Sequence, residues 1–144
     1  MSEFSRFMKS NKKPKENGKY APTASLCDEN GKSMEWEFRH LTSKEHEELR
    51  DECTLDVQVT GKPGLYRPKM KTSMYLSKLV ASSVVWPDLR NVELQDSYGV
   101  KSPEALLYAM VDDAGEYSSL CAWVQNFQGL TKNLDDKVKK AKNS

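Results

Sequence analysis

The apolar residues change period several times along the chain, and each change marks an element. Ser2 is placed to cap a short helix in which Phe4, Phe7 and Met8, at i, i+3 and i+4, share one face. Residues 11–19 then lack any apolar side chain and hold Pro14 and Gly18, the composition of a linker. An isolated helix this short is marginal in water, so its apolar face needs a surface to dock against. Residues 20–41 read as a β-hairpin. Met34, Trp36 and Phe38 alternate with Glu35, Glu37 and Arg39, residues 20–27 supply a partner strand, and Asn30-Gly31 is a hairpin turn signal. Thr42-Ser43-Lys44-Glu45 has the form of a capping box and predicts an acidic helix to about Cys53. Only Leu49 and Cys53 give that helix an apolar stripe, so it belongs on the surface with one edge buried. Val57 and Val59 flank Gln58, residues 60–64 are turn material, and Tyr66 begins a return that Pro68 limits. That stretch fits either a second hairpin or an irregular excursion.

From Thr72 or Ser73 the period becomes helical. Leu76, Leu79, Val80, Val84, Val85 and Trp86 predict a core helix that Pro87 stops, because a residue before proline disfavours the α conformation. Asn91 caps a short helix over 92–98, closed by Gly99. Ser102-Pro103-Glu104 starts the next, with Leu106, Leu107, Met110 and Val111 as its buried face, and Asp112-Asp113-Ala114-Gly115 breaks it. A helix over 116–128 follows. Tyr117, Leu120, Cys121, Val124 and Phe127 share its face, and Trp123 lies beside that face. Asn133-Leu134-Asp135-Asp136 starts a last short helix that runs into lysines. The expected architecture is a single α+β domain, an N-terminal β-hairpin region followed by a mostly helical C-terminal part. It divides into an arm and basic linker over 1–19, a globular domain over 20–131 and a basic helix or tail over 132–144.

Composition narrows the function. The 144 residues are 38% hydrophobic and include six Tyr, four Phe and three Trp, enough large side chains for one core. No run approaches the ~18 apolar residues of a membrane span, and the first residues carry no basic-then-apolar signal. Cys27, Cys53 and Cys121 are odd in number and far apart, which predicts free thiols in a reducing cytoplasm. The net charge of +1 hides an asymmetry: residues 1–20 carry +4, residues 132–144 carry +3 and the middle carries −6. Basic ends on an acidic body serve nucleic-acid binding, self-association or solubility. No aromatic residue is interleaved with the C-terminal lysines, so nucleic acid is not the expected partner.

Candidate chemistry is sparse. Cys27, His40, His46 and Cys53 are zinc-ligand types without zinc-site spacing. Gly61-Lys62-Pro63-Gly64 matches a phosphate loop in composition only, and turn chemistry around Pro63 accounts for it. Asp28-Glu29-Asn30 and Asp112-Asp113 do not continue into a calcium loop, and Glu47 and Glu48 fit a solvated helix face. With two histidines and no nucleophile elbow, no catalytic residue, cofactor or metal ligand is nominated. The candidate partner-binding residues are apolar: Phe4, Phe7 and Met8 on the arm, and Trp123, Phe127 and Leu130 near the C-terminal helix. For the second group core packing and a protein-docking edge both remain open.

The order of segments carries a resemblance. The Phe-containing arm and basic linker lead to Gly31-Lys32-Ser33-Met34-Glu35-Trp36-Glu37-Phe38-Arg39, then to an acidic helix ending Asp51-Glu52-Cys53-Thr54 and to Gly61-Lys62-Pro63-Gly64. Val84-Val85-Trp86-Pro87-Asp88-Leu89, Glu93-Leu94-Gln95-Asp96-Ser97-Tyr98-Gly99-Val100 and Pro103-Glu104-Ala105-Leu106-Leu107 follow. Over nearly its whole length the chain resembles the XkdN-like phage tail assembly chaperones of phages and prophages of Gram-positive bacteria, most specifically from Pro87 to Val100. The resemblance implies a non-enzymatic cytoplasmic factor for long-tailed phage assembly. Such a factor binds the tape measure protein, is absent from the finished tail, and in some relatives has a longer frameshifted form. It adds no active-site residue. Self-association through the arm is a further expectation. The alternatives are a small nucleic-acid-binding or regulatory phage protein and a minor structural tail component.

Overall fold

The computed structural model describes residues 3–131. The expected last helix at Asn133 and the Ser2 cap lie outside that range. The chain forms one α+β domain with its sheets toward the N-terminal half and its helices toward the C-terminal half.

The central sheet has three short strands in the order β1-β2-β5: β1 (Gly18–Tyr20), β2 (Trp36–Phe38) and β5 (Val84–Trp86). Both neighbours of β2 run antiparallel to it, with Tyr20 opposite Trp36, Gly18 opposite Phe38, and Phe38 opposite Val84. The hairpin shape expected over 20–41 is present, but its strands sit elsewhere. Residues 20–27 do not form the partner strand; pairing ends at Tyr20, two residues before Pro22, which has no N–H to extend the ladder. Asp28-Glu29-Asn30-Gly31 does make the tight turn. Asp28 Oδ1 accepts from the Asn30 and Lys32 N–H groups at 2.8 and 3.0 Å, Gly31 takes φ 78°, and the turn closes an isolated Cys27–Ser33 bridge. Met34 therefore falls outside the strand and is exposed, whereas Trp36 and Phe38 are buried.

Between β2 and β5 come α1 (Ser43–Glu52), the hairpin of β3 (Thr54–Gln58) and β4 (Tyr66–Met70), and α2 (Thr72–Ser83). The capping box is complete: Glu45 N–H donates to Thr42 Oγ1 at 3.1 Å, and Thr42 N–H donates to Glu45 Oε1 at 3.0 Å. Pro68 is accommodated within β4 opposite Asp56, on a two-stranded sheet where only one side of each strand must pair.

The core helix predicted to run to Trp86 stops three residues earlier. Ser83 Oγ donates back to the Leu79 carbonyl at 2.7 Å, and the β-branched Val84-Val85 pair extends onto the open edge of β2. Helix α3 (Val92–Ser97) is capped by Asn91, and α4 (Pro103–Met110) by Ser102. Helix α5 (Ala114–Phe127) begins two residues before the expected start. Asp113 is its cap, accepting from Glu116 N–H at 2.9 Å, so Ala114 and Gly115 lie inside the first turn rather than in a break.

Leu79, Val80, Leu106, Leu107, Leu120 and Val124, contributed by α2, α4 and α5, pack with Phe38 into the fully buried centre. A polar link lies beside it. Thr23 Oγ1 and the Ala24 N–H donate to the two carboxylate oxygens of Glu116, each at 2.8 Å, fastening the segment after β1 to the first turn of α5.

Candidate functional site

Trp123 and Phe127 lie together on α5. Trp123 stacks on Tyr20 (centroids 4.9 Å, 18°) and on Phe127 (5.0 Å, 8°), and meets Phe38 at a tilt of 56°. Phe127 in turn stacks on His40 at 4.0 Å. The four half-buried rings of Tyr20, Trp123, Phe127 and His40 thus form one column joining the sheet to α5. Burial, with Lys15 nearby, lowers the proton affinity of His40 and favours the neutral ring in this stack. Leu130, just past the helix, is exposed. The column leaves no spare room: a Cβ on Gly18 would stand 2.6 Å from Phe127 Cε1, on a ring already held from both faces. Gly18→Ala should therefore lower stability by about 1–3 kcal/mol, measured as a reduced denaturation midpoint.

The arm differs from its expected form. Phe4, Phe7 and Met8 do not share an α-helical face. Two 3-10 turns, Ser5–Phe7 and Lys9–Asn11, are separated by an extended Met8 at ψ 151°. Asn11 Nδ2 folds back to the Ser5 carbonyl at 2.6 Å and fixes this shape. Phe7 is 85% exposed, and Phe4 and Met8 are also exposed.

Sequence reasoning missed the apolar groove between the β2 approach and α3. Buried Trp36 and Met110 form its floor, and half-buried Leu26 and Leu94 line it. Met34, Trp86 and Tyr98 stand exposed at its rim, Trp86 at 62%. The groove encloses about 230 Å³, and Glu35 is the one charged residue lining it. Val84–Trp86 is a strand and not helix, and Trp86 is exposed at its end, an outcome that helical spacing hid.

A second depression is polar and is lined by side chains of both charges, among them Arg39, Glu45, Glu52, Lys78 and Glu104. Arg39 grips Glu45 with two hydrogen bonds of 3.1 and 2.8 Å, and Lys78 lies 3.7 and 3.6 Å from Glu52 and Glu104. The Arg39 hydrogen bonds, then the Thr42 N–H, hold the Glu45 carboxyl down at about 2 from an ordinary 4.5. A depressed folded-state value means the stabilisation is present above pH 4.5 and is lost as pH falls from there toward 2. Glu45→Gln should flatten stability against pH in that window, so that the two unfolding curves converge near its acidic end.

The zinc-type residues have separate roles. His46 Nε2 shares a 2.6 Å hydrogen bond with the Tyr75 hydroxyl, Cys53 is buried at the C-terminal cap of α1, and Cys27 is exposed. Among the described residues no group of three or more His, Cys, Asp or Glu side chains is arranged to hold a metal ion, and no helix is long and apolar enough to cross a membrane.

The apolar groove is thus an outward-facing feature of a small α+β domain. The comparisons give the chain a family. Residues 4–142 match the model of the phage XkdN-like tail assembly chaperone proteins, and the chain belongs to that family. It is similar to the phage-like element PBSX protein XkdN of Bacillus subtilis (strain 168), at 21% identity over 118 residues, covering 82% of this chain and 78% of that protein. The uncharacterized protein YqbN of the same strain matches at the same identity and coverage. The crystal structure of the protein YqbN superposes with a TM-score of 0.72 at 17% identity, over 90% of this chain and 98% of that one, and so shares the fold.

Proposed function

We propose that the chain is a non-enzymatic tail assembly chaperone of a long-tailed phage or prophage, acting in the host cytoplasm on the tape measure protein. One observation carries this reading: in a member of the tail assembly chaperone family, the apolar groove beside Trp86 is open to solvent. A long helical client exposes apolar side chains at helical spacing until tube subunits enclose it. A groove of about 230 Å³ holds one or two such side chains, so several chaperones seated along the client would act together.

The test is co-expression with a tape measure protein, followed by pull-down. Trp86→Ala removes an exposed rim aromatic without touching the core. If the client covers Trp86, loss of that aromatic anchor weakens binding by about 2 kcal/mol or more, at least roughly thirtyfold in affinity, with the fold unchanged by circular dichroism. Full-strength capture by that variant would remove the groove from the account, and no capture by the native chain would remove the client.

A further inference from the structure

We propose that, before the client binds, the groove is filled by the N-terminal arm of a second copy of this chain, with Phe7 and Met8 entering beside Trp86. This deepens the reading above, on which it rests for the groove's identity as the client site.

Three observations carry it. The first is size. A cavity of ~150 Å³ accepts a benzene ring, so a groove of about 230 Å³ takes the Phe7 ring with part of Met8. The second is charge. Residues 3–19 carry six Lys or Arg against two Glu, a net +4. The two segments that line most of the groove are acidic. Residues 28–37 hold four acids against Lys32, and residues 86–98 hold three acids against Arg90, together −5. Opposite charge on the linker and on this rim draws the arm and its tether toward it.

The third is direction, which selects a second copy over the arm's own body. Strand β1 runs from Gly18, opposite Phe38, to Tyr20, opposite Trp36. The groove lies at the Trp36 end. Traced backward from Gly18 the chain leaves at the Phe38 end. Asn17 Nδ2 is tied there to Glu37 Oε2 at 3.1 Å, and Lys15 and Glu16 lie near His40. The linker starts away from the groove of its own chain, and Phe7, 85% exposed, does not fill that groove. The six residues 12–17 span at most about 20 Å, enough to cross to a neighbour. Client binding would then displace the arm, coupling release of the chaperone pair to capture.

The experiment uses the full chain in sedimentation velocity over a wide concentration range. The native protein should rise from its 16.4 kDa monomer to at least twice that mass, less readily at high salt. The arm variant Phe7→Asp/Met8→Asp and the groove variant Trp86→Asp should each stay monomeric. Mixed in equal amounts they should regain a one-to-one pair, since one supplies an intact groove and the other an intact arm. A native chain that stays monomeric at every concentration overturns the proposal. So does a mixture that stays monomeric while the native chain associates. A change in Trp86 emission on mutating the arm, without a change in mass, would place the arm on its own body and overturn it as well. Tape measure capture by the arm variant separates the two readings. Capture as strong as native, or stronger, supports displacement, and weaker capture counts against it. Capture without any native self-association leaves the chaperone reading standing and removes this one. Self-association through the groove with no capture does the reverse.

Discussion

Phe38→Ala should lower the stability of the domain by about 3–5 kcal/mol, enough to populate the unfolded chain at moderate temperature if total stability is the usual ~5–15 kcal/mol. Phe38 is fully buried on the middle strand. Its backbone pairs with Gly18 on one side and Val84 on the other, and its ring meets Trp123 at 4.9 Å. Truncation leaves a void that neither neighbouring strand can fill, because β1 and β5 are three residues long and each is anchored to β2 itself. Phe38→Leu keeps most of the volume and should lose roughly 1.5 kcal/mol or less. Chemical denaturation of the two variants checks this directly. Equal losses would mean that the column of rings, and not the volume beneath it, determines the stability of the site.

Gln128→Ala is the second large effect, expected at about 2–4 kcal/mol from the loss of partners by half-buried backbone groups. The Gln128 amide ties three segments together just after α5. Its Oε1 accepts from Leu41 N–H at 2.9 Å, and its Nε2 donates to the Arg39 carbonyl at 2.8 Å and to Ser83 Oγ at 2.9 Å. Ser83 retains its bond to the Leu79 carbonyl in the variant, whereas Leu41 N–H and the Arg39 carbonyl lose this partner. Gln128→Glu should not rescue. A carboxylate keeps the acceptor but sets a second oxygen against the Arg39 carbonyl. That carboxyl would titrate above its ordinary range, because only its protonated form can donate, so the stability of the variant should recover as pH falls. Unfolding midpoints of both variants at neutral and mildly acidic pH read the two effects separately.

Helix starts were the most legible part of the sequence. Thr42, Asn91 and Ser102 each cap where their chemistry says, because the cap is a contact between residues three apart and owes nothing to tertiary structure. Strand positions were less legible. Residues 34–38 alternate cleanly, yet the ladder admits only Trp36–Phe38, since its length is set by where Pro22 ends the partner segment. Val84 to Trp86 failed for a related reason. Their apolar run fits a helix as well as a buried strand, and the decision belongs to the open edge of β2, nearly fifty residues away. That one reassignment also hid the groove, because a helical Trp86 would have been counted in the core. At the other end, the apolar content of Trp123 and Phe127 was plain from spacing, but the rings that cover them, Tyr20 and His40, come from segments no periodicity links to α5.

The strand order has a bearing on synthesis. Strand β2 needs β5, its ring column needs α5, and the Gln128 clasp on Arg39 closes across 89 residues. At ~5–20 residues per second of translation, the stretch between them takes on the order of five to twenty seconds to emerge. Until it ends, Trp36 and Phe38 lack the last of the helices that complete their core. The nascent polypeptide is therefore itself a greasy, unfinished strand for most of its time in production, and a factor that shields others would first depend on shielding from the host.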